Sequence, residues 1–317
     1  MDALSDILKH IPIAAGSVDL EEKRRKLLAH PQVQKLRDRF PELSDESIRL
    51  NMARVYQYVT EYDNCSSCPG LQRCPNDFTG HYTKLSVQQS GGIAQLCDHK
   101  VACKKLLAKQ SEDMIRSKIR SFYVDEQLLN HSYSPSEIAK LDSERESAVL
   151  RLVSYIKKTK EHGLQNRGLY LAGDFGTGKT FLMGYMLSEL AKSGYTGVIV
   201  YMPDFVEDLK SMFAEPQKLK DTIEMMKETD LLVFDDIGAE NMNPWLRDHV
   251  MGAILNYRMN RKPTFYTSNH DLNRLEAHFS FTNKDGEERE KGQRIMERIR
   301  PFVDVVEVGG TNKRGAV

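Results

Sequence analysis

The chain has 317 residues, enough for two domains, since single domains run about 100 to 200 residues. Basic and acidic side chains balance at 45 each, which excludes a bulk field holding the protein on nucleic acid or an anionic membrane. With no apolar run near the ~20 residues of a membrane span and no signal-peptide pattern, a cytoplasmic protein without a membrane partner is expected. Residues 1 to 110 carry 16 basic and 13 acidic side chains, leaving 29 and 32 for the remainder. Neither half is a basic arm, so nucleic-acid contact requires a local patch, assembled between subunits or with a partner.

Between Leu20 and Phe40, Leu27, Leu28, Val33, Leu36 and Phe40 recur at helical intervals, and Pro31 beside His30 divides the run into two short helices. Ser44 is a cap for a further helix with Ile48, Met52, Val55, Tyr56 and Val59 on one face. The five cysteines, in a cytosolic chain, read as thiols or metal ligands rather than disulfides. Cys65, Cys68 and Cys74 fall within ten residues, a spacing that lets a loop fold back on a tetrahedral zinc. Cys97 is the first choice for a fourth ligand and His81 the second. Cys103 reads as a bystander on a helix from Asp98 to Lys109. A redox C-x-x-C is the rival, but Pro69-Gly70 follows where such motifs have a helix. Residues 1–108 therefore read as a small, mostly helical zinc-binding domain, and 109–135 as a polar linker. Within the linker, Val124 to Tyr133 is a candidate lining for an adenine pocket, and Ser136 to Lys158 reads as a helix that opens an ATPase domain over 136–317 and precedes its first strand.

The sharpest signal is Gly173-Asp174-Phe175-Gly176-Thr177-Gly178-Lys179-Thr180, which fits the phosphate-cradling pattern G-x-x-x-x-G-K-[ST]. An apolar strand over 168–172 precedes it and a helix from Phe181 to Lys192 follows, the order that the motif requires. The glycines let backbone N–H groups turn toward phosphate, Lys179 adds a mobile charge, and Thr180 offers its hydroxyl to magnesium. Farther on, strands are expected over 198–202 and 264–267, and helices over 203–213, 216–228 and 243–259. The apolar run Leu231 to Phe234 ends in Asp235 and Asp236, one carboxylate for the magnesium shell and one beside an attacking water. Asn269, at a strand tip, can orient that water.

The phosphate loop, Val-Phe-Asp-Asp-Ile-Gly-Ala-Glu, Asn-Pro-Trp-Leu-Arg-Asp, Tyr-Thr-Ser-Asn and Arg-Ile-Met-Glu-Arg-Ile together resemble the bacterial replicative helicase loaders. Among these DnaC-type AAA+ ATPases the similarity is to the primosomal loaders of Gram-positive bacteria, whose zinc-containing helicase-binding domain the N-terminal cysteine cluster also resembles. The resemblance implies an α/β P-loop AAA+ domain with a parallel sheet and a reduced lid, since only 48 residues follow Asn269. It implies ATP, Mg2+ and Zn2+ as cofactors, and as partners a hexameric replicative helicase, single-stranded DNA, other primosome proteins and further copies through the AAA+ domain. By similarity Asn269 is the first sensor, Arg298 the arginine finger with Arg294 as the alternative, and Arg314 a second sensor. The competing readings are a transposition helper ATPase, a P-loop small-molecule kinase, and a zinc adaptor with a degenerate ATPase half. The intact Lys179, Thr180, Asp235 and Asp236 argue against the last.

Overall fold

The computed structural model describes residues 17–90, 93–122, 124 and 145–312. The chain divides into two compact units, Met1–Glu112 and Asp113–Val317.

Among the described residues the first unit begins with helices α1 (Ser17–Leu28) and α2 (Pro31–Arg39). Pro31 takes the first helical position, where a missing N–H costs nothing, and His30 Nδ1 accepts the Gln32 N–H at 3.3 Å. Ser44 caps α3 (Asp45–Leu50) as expected, its Oγ accepting the Ser47 N–H at 3.0 Å, and α4 (Met52–Ser66) follows. Ile48, Val55 and Val59 pack with Val33, Leu36, Leu85 and Leu96 into one core. Tyr56 does not share that face: it is 62% exposed, because it lies about 100° around the helix from Val55.

The unit is less helical than its sequence suggested. Strands β1 (His81–Ser90) and β2 (Ile93–Ala102) form a long antiparallel hairpin, with Leu85 opposite Asp98 and Ser86 opposite Cys97. The helix expected from Asp98 begins only at Lys104, as α5 (Lys104–Ser117). The period-two placement of Thr83 and Leu85, both buried, draws this segment into a sheet. Glu61 of α4 fastens the hairpin: its buried carboxylate accepts the Thr83 N–H at 2.5 Å and pairs with Lys100 of β2. Burial pushes the Glu61 carboxyl up, but the hydrogen bonds from Lys100 and Thr83 outweigh it and hold the group below the ordinary glutamate range.

The second unit runs β3 (Ile119–Phe122), α6 (Glu146–His162), β4 (Gly168–Ala172), α7 (Lys179–Ala191) and β5 (Gly197–Tyr201). It continues through α8 (Met202–Ser211), α9 (Pro216–Glu228) and β6 (Leu231–Asp235) to a π-helical turn, Leu246–Met251, that leads into α10 (Gly252–Arg258). Then come β7 (Thr264–Ser268), α11 (Leu272–Ser280), the short hairpin β8 (Phe281–Thr282) and β9 (Gly286–Glu287), α12 (Arg289–Met296) and β10 (Val303–Glu307). Six strands pair in parallel in the order β10-β4-β7-β6-β5-β3. Leu232 and Phe234 point into the core on one face, Leu231 and Val233 into the core on the other. Burial on both faces is why these strands read as continuous apolar runs.

Both edges of the sheet depart from the sequence reading. Residues assigned to the linker supply edge strand β3, and the stretch read as a reduced lid supplies edge strand β10 in addition to α11 and α12. At the sheet's lower end Arg258, 0% exposed, donates to the carbonyls of Met226, Lys227, Thr229, Asp230 and Pro263 at 2.5–3.2 Å. Burial lowers its pKa to about 10, which leaves it charged at neutral pH.

Candidate functional site: a phosphate loop facing two carboxylates

The phosphate loop connects β4 to α7 at the carboxyl ends of the parallel strands, where such sheets bind ligands. Gly176 and Gly178 hold φ of 75° and 89°, the left-handed region that glycine enters without cost. Two side-chain ends also come close to these glycines: a Cβ on Gly178 would meet Arg145 Nη1 at 2.5 Å, and one on Gly176 would meet Asn312 Oδ1 at 1.9 Å. Arg145, buried at the start of α6, also donates to Thr177 O at 3.1 Å.

Five of the residues singled out in the sequence converge. Lys179 Nζ donates to Gly173 O, Asp174 O and Asn269 Oδ1, each at 2.8 Å. Asn269 Nδ2 in turn donates to Asp236 Oδ1 at 3.0 Å. Thr180 Oγ1 donates to Asp235 Oδ2 at 3.1 Å, and Thr267 Oγ1 to Asp235 Oδ1 at 2.7 Å. Burial pushes the Asp235 carboxyl above the ordinary aspartate range, against the pull of the Thr267 and Thr180 hydroxyls. A buried carboxylate beside a threonine hydroxyl is a donor set of hard oxygens, which fits magnesium.

Asp236 is shaped by its backbone, at φ 55°. Its N–H donates to Thr267 Oγ1 at 2.8 Å, so Thr267 holds the Asp235 carboxylate and the Asp236 backbone at once. The sequence reading passed over Thr267, although it stands on β7 two residues before Asn269, which directly follows that strand. Arg145 and Asn312 carried no motif signal, since only the fold brings them to the loop.

The finger candidates lie at the end of α12 and just beyond it. Arg294 is exposed, while Arg298 is half-buried and folds back to donate to Arg294 O at 2.5 Å. Arg314 and most of the proposed adenine lining, 125–133, lie outside the described residues.

The expected zinc is not borne out. Among the described residues no group of three or more His, Cys, Asp or Glu is arranged to hold a metal ion. Cys65, Cys68, Cys74 and His81 do line one open cavity of about 530 Å³, and three of the four make other contacts there. Cys74 Sγ accepts the Gly80 N–H at 3.4 Å, Asn76 Nδ2 donates to Cys65 Sγ at 3.6 Å, and His81 Nδ1 lies 3.0 Å from Thr79 O. Cys97, the preferred fourth ligand, is on β2 and donates to Gln88 Oε1 at 3.5 Å. Cys103, read as a bystander, lines the cavity with the others.

A second feature of the second unit is an open groove of about 570 Å³ whose lining includes Phe213, Trp245, Lys210, Lys284, Lys291 and Asp248. The Phe213 and Trp245 rings lie 4.6 Å apart at 57°, with Phe213 53% exposed. Aromatic faces among lysines suit unstacked bases on a phosphate backbone.

A family profile described as primosomal protein DnaI N-terminus matches residues 1–91, and one described as AFG1-like ATPase matches 109–248. The replicative helicase loader DnaI of Bacillus subtilis (strain 168) is 33% identical over 297 residues, which is 93% of either chain. The chain belongs to the DnaI family of replicative helicase loaders. A crystal structure of DnaI, 32% identical, covers 65% of this chain and 100% of its own with a TM-score of 0.51. A putative primosome component from Streptococcus pyogenes serotype M3, 28% identical, covers 64% of this chain and 98% of its own with a TM-score of 0.50. In this DnaI-family chain the phosphate loop and both carboxylates fall in the second unit, and among the described residues no helix is long and apolar enough to cross a membrane.

Proposed function

We propose that this DnaI-family chain is an ATP-dependent loader that binds the hexameric replicative helicase through its N-terminal unit and delivers it onto single-stranded DNA alongside other primosome proteins. The observation that carries the reading is the continuous set of contacts from Lys179 through Asn269 to Asp236, beside the Thr180–Asp235 pair. When ATP enters, the loop N–H groups and Lys179 take the phosphates, and Lys179 exchanges its carbonyl partners for them. Thr180 and Asp235 are the residues that would hold magnesium, whose chemistry there is to neutralise phosphate charge. Asp236, steadied by Asn269 and Thr267, positions and deprotonates the attacking water. The Phe213–Trp245 groove is the interface for single-stranded DNA, by stacking rather than by net charge.

The test is helicase transfer. Full-length protein should co-purify with a replicative helicase hexamer and place it on circular single-stranded DNA when ATP is present. Lys179→Ala should keep the helicase contact, lose ATP binding and fail to load. A wild-type chain that never retains the hexamer, or a Lys179→Ala chain that loads normally, would overturn the loader reading.

A further inference from the structure

The turn that carries Asp236 is fastened by a buried acid. Glu240 lies four residues beyond Asp236, and its side chain is 0% exposed. Its Oε2 accepts the Gly238 N–H at 2.8 Å, and its Oε1 faces His278 Nε2 of α11 at 3.0 Å. The His278 ring stacks on that of His270, with centroids 6.5 Å apart at 26°. His270 closes the circuit against the turn: a Cβ on Gly238 would meet His270 Cδ2 at 2.7 Å. His270 directly follows Asn269, and its backbone carbonyl accepts the Tyr170 hydroxyl at 2.7 Å.

A wholly buried carboxylate costs several kcal/mol unless its oxygens are satisfied and a cation is close. An apolar residue would close an ordinary turn at lower cost. What distinguishes this turn is its first residue, Asp236, held at φ 55° with its carboxylate on Asn269. Backbone in that region persists only where the surroundings over-determine it. From one side Thr267 does so, through the Asp236 N–H, and Ser268 Oγ donates to Ile237 O at 2.5 Å. On the other side the fastening runs through Glu240, His278 and His270.

We propose that Glu240 and His278 are positioning residues for ATP hydrolysis, fixing the Asp236 turn against the Asn269 segment so that the second carboxylate meets its water. The inference rests on the hydrolysis reading above. Neither side chain touches the phosphate loop through the bonds described, so nucleotide affinity should be independent of both. Because His278 belongs to α11, which packs against α12, the same pair joins the hydrolytic turn to the helix bearing Arg294.

The experiment compares Glu240→Ala, His278→Ala and Glu240→Gln in the full chain, with Lys179→Ala as the control for binding. A fluorescent ATP analogue reads affinity, steady-state hydrolysis reads kcat, and thermal unfolding reads integrity. A displaced catalytic group of this kind costs about 100-fold in rate, so both alanine variants should lose kcat on that order with affinity unchanged within about twofold. Glu240→Gln still accepts the Gly238 N–H and should recover most of the rate. Wild-type kcat in Glu240→Ala, or loss of affinity in step with rate, would overturn the assignment. So would a rate loss that merely follows a lower unfolding temperature in all three variants. Wild-type turnover no higher than that of Lys179→Ala would instead overturn the hydrolysis reading, and the positioning role with it.

Discussion

Asp236 and Glu61 show how much a single position can carry. Aspartate and asparagine tolerate the left-handed region better than other non-glycine residues, because their short polar side chains bond locally. Asp236→Asn should therefore keep the fold and nucleotide affinity and lower kcat by about 100-fold or more, the range of a general base. Asp236→Val should lower kcat equally and cost a further ~1 to 2 kcal/mol of stability, read by denaturant unfolding. Equal stability of the two variants would show that the turn carries no strain. Glu61 has its pKa held below the unfolded value, so its contribution is present above about pH 4.3 and is lost as pH falls through the lower folded value. Glu61→Gln should remove that part of the acid dependence. Lys100→Met strands a buried carboxylate and should be the costlier change, by roughly 3 kcal/mol. If instead Lys100→Met costs nothing, the Glu61 carboxylate is held by the Thr83 N–H and not by the ion pair.

Among the elements, those that bind phosphate are legible in sequence and those that support them are not. The β4–loop–α7 unit and the Asp-Asp strand could be read because their chemistry fixes residue types at fixed spacing. The β1–β2 hairpin is hidden because only Thr83 and Leu85 of β1 mark its buried face, too short a period-two pattern to read beside the cysteines. Strand β10 was hidden because its burial alternates imperfectly, with Val305 exposed between Val303 and Val306. The Phe213–Trp245 groove had no signal either, since its aromatics stand 32 positions apart and meet only in the fold. That groove supports a direct test. Base–aromatic stacking is worth about 1 to 3 kcal/mol per base, so Trp245→Ala should weaken single-strand affinity by roughly 5- to 150-fold at every salt concentration. Lys284→Ala should mainly flatten the salt dependence. Undiminished affinity in Trp245→Ala would move the DNA interface elsewhere.

For the whole molecule, charge neutrality sets the terms. A chain with equal acid and base gains little from counterion release as a monomer, so on the proposed loader function tight DNA binding would depend on aligned copies adding their grooves. An arginine reaching a neighbour's γ-phosphate would couple that alignment to ATP, and such fingers are worth about 10³ to 10⁵ in rate. Arg298 now donates to Arg294 O and would have to unfold from that contact to serve, whereas Arg294 is already exposed. Arg298→Ala should keep ATP affinity yet lose ATP-dependent self-assembly, stimulated hydrolysis and single-strand binding together. If Arg294→Ala fails in all three while Arg298→Ala behaves as wild type, the exposed arginine is the finger. If neither variant changes anything, hydrolysis does not act across subunits.

The buried Arg258 gives the sheet a direction. Its guanidinium ties the end of α9 and the approaches to β6 and β7 to one point, while the opposite ends of those strands hold Asp235 and Asn269. A lever needs a fulcrum, and a charged group bonded to five carbonyls with no water to replace them is a stiff one. Whatever displacement a nucleotide causes at the top of β6 and β7 cannot be absorbed by the strands sliding at the bottom.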